Sequence, residues 1–342
     1  MLQHACLIAA TVGAGFEPQL WWMPGVWITV LGMFLGSFMN VVVYRMPRAR
    51  ALAFPGSQCP VCSHHVRWFD NVPVFSWLLL RARCRDCHTP ISGRYPLVEA
   101  IVGAMFLWLA LAEVYSGGVT LPAVREVYGL AMHVVAGARR TTAYDGALWL
   151  TLAYHLFMMC TLVCAALIEY DRKCPPLKLY WPALVVGLAF PIGNALVRPI
   201  PAWPIEALAG AAWTGGLTDG LIGLAAGLAA GLLLAIGGRD LDSRLAAPLN
   251  MMIVGVFLGW QAALFVAAAT SAVALMLGPV ARRLPDSVVL TAVTFAFLLN
   301  WGRLAERLPS LFGPNVTVTA VGCAVAILVV VGTLRLVFHR SR

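Results

Sequence analysis

The chain has 342 residues, of which 61% are hydrophobic and 11% charged, with a formal net charge of +9. A water-soluble domain must wet its own exterior, so this composition excludes one and makes lipid the solvent. The positive charge does not call for nucleic acid, because surplus Lys and Arg in membrane proteins collect in cytoplasmic loops and set topology.

Apolar windows fall near 26–45, 97–113, 147–168, 177–197, 219–237, 249–259, 262–278, 286–301 and 316–338. A crossing needs about 20 apolar residues, so the window at 249–259 is short and is expected to be tilted or buried among its neighbours. The N-terminus lacks the basic flank and small-residue cleavage site of a secretory signal, so the first span is expected to be retained. Arg48, Arg50, Arg67, Arg81, Arg83, Arg85 and Arg94 crowd the loop after that span, which predicts a cytoplasmic loop. Alternation then puts Arg172, Lys173 and Lys178, the pair Arg239 and Arg244, the pair Arg282 and Arg283, and the tail with Arg335 and Arg340 on the same side.

The expected fold is an all-α polytopic membrane helix bundle of about eight to nine spans with a small cytoplasmic zinc-binding loop. Its expected divisions are an N-terminal segment (1–25), the first span with the four-cysteine module (26–96), the second span with an extracytoplasmic loop (97–146), a peptidase-like membrane domain (147–285) and C-terminal spans (286–342). Gly220, Gly223, Gly227 and Gly231 share one face of the fifth span, which predicts close helix packing through small residues.

Cys59-Pro-Val-Cys62 and Cys84-Arg-Asp-Cys87 form two CxxC pairs. Each turn aims two thiolates at one point, and two turns complete the tetrahedral sulfur shell that Zn²⁺ prefers. Two disulfides are the other possibility, but the arginine pattern places the loop in a reducing compartment. A closed shell leaves no open position for substrate, so the zinc is expected to be structural. His64, His65 and His88 are read as solvated loop residues.

Three blocks then match a known family: Gly36-Ser-Phe-Met-Asn-Val-Val-Val-Tyr-Arg-Met-Pro47, Asp70-Asn-Val-Pro-Val-Phe-Ser-Trp77 within the CxxC loop, and Ile91-Ser-Gly-Arg-Tyr-Pro-Leu-Val-Glu99. Over residues 30–100 the chain resembles the N-terminal module of the type IV prepilin peptidases, and more loosely the family's peptidase half out to about residue 278. The resemblance implies an aspartic endopeptidase of the bacterial cytoplasmic (inner) membrane. It would cut the basic leader from prepilins or pseudopilins of type IV pili or type II secretion. It also implies possible methylation of the new N-terminus from S-adenosylmethionine.

Such peptide hydrolysis needs two carboxyl groups sharing a proton. By the family's spacing, Pro176 and Pro182 lead back to Glu169, with Asp171 about 200° further round a helix. The second acid position leads back from Gly259-Trp260 to Ala247, which has no carboxylate; the nearest acids are Asp240 and Asp242. The candidate catalytic residues are therefore Glu169, Asp171, Asp240 and Asp242, which with Asp70 form an acidic rim expected to attract a basic leader. The alternative is a non-cleaving relative that binds prepilin-like leaders or assists assembly. A transporter is disfavoured because the expected spans are nearly free of ionisable residues.

Overall fold

The computed structural model describes residues 22–54, 56–121, 142–193, 197–198, 212–236, 241–277 and 284–307. Among these, residues 49–54, 56–67 and 80–93 form turns and irregular loop with isolated β-bridges between Gln58 and His65 and between Arg83 and Pro90, while the regular secondary structure is helical. Lipid dictates this, because an apolar segment without water must satisfy its own N–H and C=O groups. The long helices are α1 (Met23–Arg45), α2 (Arg94–Ala110), α3 (Thr142–Tyr170), α4 (Leu177–Gly193), α5 (Ala212–Ile236), α6 (Leu241–Leu258), α7 (Trp260–Met276) and α8 (Asp286–Arg307).

Among the described residues, five segments are long and apolar enough to cross a membrane: Met23–Arg48, Arg94–Tyr115, Gly146–Tyr170, Gly216–Ile236 and Asp286–Ala305. Leu177–Ile192, Arg244–Leu258 and Trp260–Met276 are shorter apolar helices. The chain is thus a multi-pass membrane protein. The apolar windows from the first to the eighth each coincide with one helix, while the ninth, near 316–338, lies outside the described residues. The sixth window is short because α6 starts with the polar run Asp242-Ser243-Arg244 before turning apolar. Gly259, at φ 89°, separates α6 from α7.

Two compact units emerge, one within Ala9–Leu111 and one within Ala112–Arg342. In the first, α1 and α2 pack backbone against backbone. A Cβ on Gly36 would sit 2.9 Å from the Glu99 Cα, and one on Gly103 would sit 2.6 Å from the Met33 side chain. Pro96 is tolerated in the first turn of α2, where its missing N–H has no intrahelical partner to lose.

In the second unit, the glycine face of α5 meets α6. A Cβ on Gly223 would lie 2.1 Å from the Gly255 carbonyl oxygen, one on Gly255 2.0 Å from that of Gly223, and one on Gly227 2.2 Å from that of Met251. Gly231 is pressed against Pro248 in the same way. Lipid supplies no hydrophobic drive between helices, so this approach and buried polar contacts have to hold them.

Arg198, 1% exposed, supplies such contacts. Its guanidinium donates to the carbonyls of Val256 (3.1 Å), Gly216 (2.8 Å) and Gly187 (3.3 Å), and to Asp219 Oδ2 at 2.9 Å. The Gly187 carbonyl needs an outside donor because its intrahelical partner would be the N–H that Pro191 lacks. Tyr154 Oη donates to the same oxygen at 3.2 Å, which ties α3 to α4.

Replacing Gly223 by Val is expected to lower stability by about 3 kcal/mol, because backbone rather than a flexible side chain blocks the new methyl groups. Gly146→Ala is the control: its Cβ meets nothing within 4 Å, and the change should raise stability by about 0.5–1 kcal/mol. Thermal unfolding in detergent checks both, and equal midpoints for the two variants would show that the seam is not close-packed.

Candidate active site and metal centre

The loop of the first unit is built from two similar knuckles. In one, Cys59 N–H donates to the His64 carbonyl at 3.0 Å and Ser63 N–H to Cys59 at 2.9 Å. In the other, Cys84 N–H donates to Thr89 at 2.8 Å and His88 N–H to Cys84 at 3.0 Å. Ser63 and His88, each just after its CxxC, take the left-handed conformation at φ 57° and 56°.

The knuckles bring the four Sγ atoms within 4.8 Å of one another. Cys59 and Cys87 sulfurs are 3.7 Å apart, and those of Cys62 and Cys84 are 4.0 Å apart. Sulfur bonds to zinc of about 2.3 Å in a tetrahedron separate the sulfurs by about 3.8 Å, whereas a disulfide needs about 2.05 Å. The cluster therefore has the spacing of a metal site and could hold an ion such as zinc. The backbone N–H groups of Cys62 and Val61 pull the Cys59 thiol down to about 6, while Cys62 and Cys87 are pushed up, so the crowded thiols favour a single thiolate until a cation offsets the charge of the rest. His64, His65 and His88 are exposed and stand outside the four-sulfur group.

The three blocks noted in the sequence hold one another. Asn40 Nδ2 donates to the Tyr95 carbonyl at 3.3 Å, and Trp77 Nε1 to that of Ile91 at 3.0 Å. Glu99, 7% exposed, accepts the Val74 N–H at 2.7 Å and so holds Val74 at φ 63°, which a β-branched residue rarely adopts. Asp70 is not part of an open acidic rim. Arg85 grips it with bonds of 2.8 and 2.5 Å, holding its carboxyl below the usual carboxylate range. The expectation that Asp70 attracts a basic leader is corrected accordingly, since Arg85 already neutralises it and its side chain is 8% exposed.

In the second unit, Glu169 lies in the last turn of α3 and is 3% exposed. Ser287 Oγ donates to Glu169 Oε2, Asn250 Nδ2 donates to Ser287 Oγ at 2.8 Å, and Tyr180 Oη donates to Asn250 Oδ1 at 2.8 Å. This chain links α3, α8, α6 and α4 through polar groups. Asp171, by contrast, sits two residues on, in the turn that ends α3. There Arg172 at φ 56° lets Lys173 N–H bond Ile168 O at 3.2 Å and Arg172 N–H bond Glu169 O at 2.8 Å. Asp240 and the side chain of Asp242 lie outside the described residues. Ala247 is on α6, one turn before Asn250.

Sequence reading did not single out Tyr180, Asn250 or Ser287, though Asn250 is a polar residue inside an apolar run, which in lipid needs a partner. It also expected spans nearly free of ionisable groups. The described residues hold two buried pairs, Arg198–Asp219 and His155–Glu113, the latter at 2.7 Å with both side chains at most 1% exposed. Glu113 belongs to the π-helical turn Leu111–Tyr115, an irregularity frequent at functional sites.

Residues 30–112 match the family described as the Bacterial Peptidase A24 N-terminal domain. Over 189 residues the chain is 35% identical to a prepilin leader peptidase/N-methyltransferase of Myxococcus xanthus, covering 55% of this chain and 44% of that protein. It is 38% identical over 125 residues to a type 4 prepilin-like proteins leader peptide-processing enzyme of Escherichia coli (31% and 46% covered), and 42% over 96 residues to a Klebsiella pneumoniae prepilin leader peptidase/N-methyltransferase (26% and 41%). The chain thus spans less than half the length of these relatives, and no solved structure matches it. On the paired CxxC module, the interlocked sequence blocks and these matches, residues 30–112 carry a module similar to the N-terminal domain of the bacterial A24 peptidases, and the chain resembles the prepilin leader peptidases over part of their length.

Proposed function

We propose that this protein is a membrane endopeptidase that removes the leader from prepilins or pseudopilins at the membrane surface. The observation that carries the proposal is Glu169, a carboxyl group buried at the end of α3 yet engaged by a hydroxyl–amide–phenol chain. A carboxyl group left in lipid without partners would be costly. Here four helices meet to keep it, in a chain whose residues 30–112 match the N-terminal domain of a peptidase family. Prepilin leaders carry basic residues ahead of an apolar helix. A substrate of that kind enters from the bilayer and brings its scissile bond to the level of helix ends such as that of α3. The arginines of residues 48–94 favour a cytoplasmic position for this level in an inner membrane.

In the proposal the four cysteines hold one structural Zn²⁺, which stiffens a loop with little apolar core of its own. Its Cys₄ shell is closed, so it takes no part in hydrolysis. The relatives' names also include N-methylation, for which S-adenosylmethionine is the donor. Among the described residues no glycine-rich turn fits that cofactor, and methyl transfer stays outside the proposal. The alternative, a relative that binds leaders without cutting them, predicts no dependence of any activity on Glu169.

Elemental analysis of the purified protein should find one zinc per chain, and Cys84→Ser should lose most of it and loosen the loop to proteolysis. A metal-free parent with intact disulfides would sink the zinc assignment. With a synthetic leader peptide in lipid, Glu169→Gln should cut the cleavage rate by about a thousandfold or more, while Asp171→Asn stays within a fewfold of the parent. Leader binding without cleavage by the parent protein would instead favour the non-cleaving alternative.

A further inference from the structure

A small pocket opens among α5, α6, α7 and α8, lined by Ala247, Asn250, Thr270, Asp286 and Ser287 among others, with room for roughly one water molecule. Ala247 is the position at which the family's spacing places the second acid. The wall opposite is not apolar, because Asp286 begins α8 and borders the same space. Its neighbour Ser287 donates to Glu169, and Asn250, also on the wall, donates to Ser287. Thr270 Oγ1 is buried and has no hydrogen-bond partner among the described residues. A buried hydroxyl of that kind, bordering a space the size of one water, has an unmade hydrogen bond that a water there would satisfy.

We propose that Asp286 is the second catalytic carboxyl group, paired with Glu169 through the Ser287 hydroxyl, and that this pocket holds the attacking water. The inference rests on the peptidase proposal and names the acid that Ala247 lacks. The two carboxyl groups share one proton. The ionised one takes a proton from the water as its oxygen bonds to the scissile carbonyl carbon. The protonated one gives its proton to the carbonyl oxygen, forming a neutral gem-diol. Collapse breaks the C–N bond and delivers a proton to the departing amine, so one water is consumed and one acid and one amine are released. Thr270 and Asn250 orient the water and the serine. Asp286 is partly exposed, as a group that must meet a substrate has to be.

The bland role for an acid at this place is to favour the N-terminus of α8. Asparagine keeps the size and side-chain oxygen of Asp286 and loses only its charge, a small effect on helix stability, so a large loss of cleavage rate in folded Asp286→Asn separates the two roles. The test measures cleavage of a peptide joining a basic leader to an apolar helix, by the full zinc-loaded protein in lipid, across pH 4–9. The expected result is a kcat loss of about a thousandfold or more for Asp286→Asn, with KM little changed. Asp286→Glu should recover part of it, and the Glu169→Gln/Asp286→Asn double variant should be no worse than either single change. Asp286→Asn cleaving within tenfold of the parent, with an unaltered acidic limb of the pH profile, overturns Asp286 as catalytic and leaves the peptidase proposal standing on Glu169. No cleavage by the parent overturns both.

Discussion

In the larger unit the decisive constraint is how closely the backbones of α5 and α6 can approach. Gly223 and Gly255 face each other carbonyl to α-carbon, with no room for a single Cβ on either side. In water such a seam could be replaced by interlocking leucines, since burial itself would hold the helices. In lipid that drive is absent, and dispersion contacts between bare backbones have to substitute for it. The seam runs from Gly223–Gly255 to Gly231–Pro248 and so sets the position of the first turns of α6. Ala247 and Asn250 lie there, and through Asn250 the seam reaches Ser287 and Glu169.

Buried polar groups complete what the glycines begin. Arg198 satisfies carbonyls from three helices at once, including the Gly187 oxygen that Pro191 leaves without a partner. Tyr154 reaches the same oxygen from α3. A proline inside a membrane helix is thereby used rather than merely tolerated, since the freed carbonyl becomes the point at which other elements attach. The Glu169 chain follows the same logic at another place, with each polar atom answered by one from a different helix.

The smaller unit solves a different problem. Its loop leaves the helical pair α1–α2 and buries few of its apolar residues, Phe54, Trp68 and Leu79 among them being exposed, so polar anchors hold it. Glu99 fixes the Val74 amide, Arg85 clamps Asp70, and Arg45 donates to the carbonyls of Ala51, Leu52 and Gly56. These anchors bring two CxxC turns, far apart in the chain, to one point at the spacing of a tetrahedral sulfur shell. The acids and arginines of the loop therefore build a support for the cysteines, and the positive charge of this region is partly consumed within it.

Sequence alone determined the lipid-soluble helical class, eight apolar windows that match helices, the four-cysteine cluster and the likeness of the N-terminal module to that of the prepilin peptidases. Each of these is written in local pattern: the length of an apolar run, the spacing of a CxxC pair, the order of short blocks. The glycine face of α5 was legible for the same reason, because a helical period marks it in advance. Only tertiary structure decided which acid is buried. Glu169 and Asp171 are two residues apart, and nothing local shows that one meets Ser287 and Asn250 while the other ends in a turn. The pairs Arg198–Asp219 and His155–Glu113 were hidden likewise. A charge in an apolar chain is affordable only beside its partner, and that partner is set by helix packing across tens of residues.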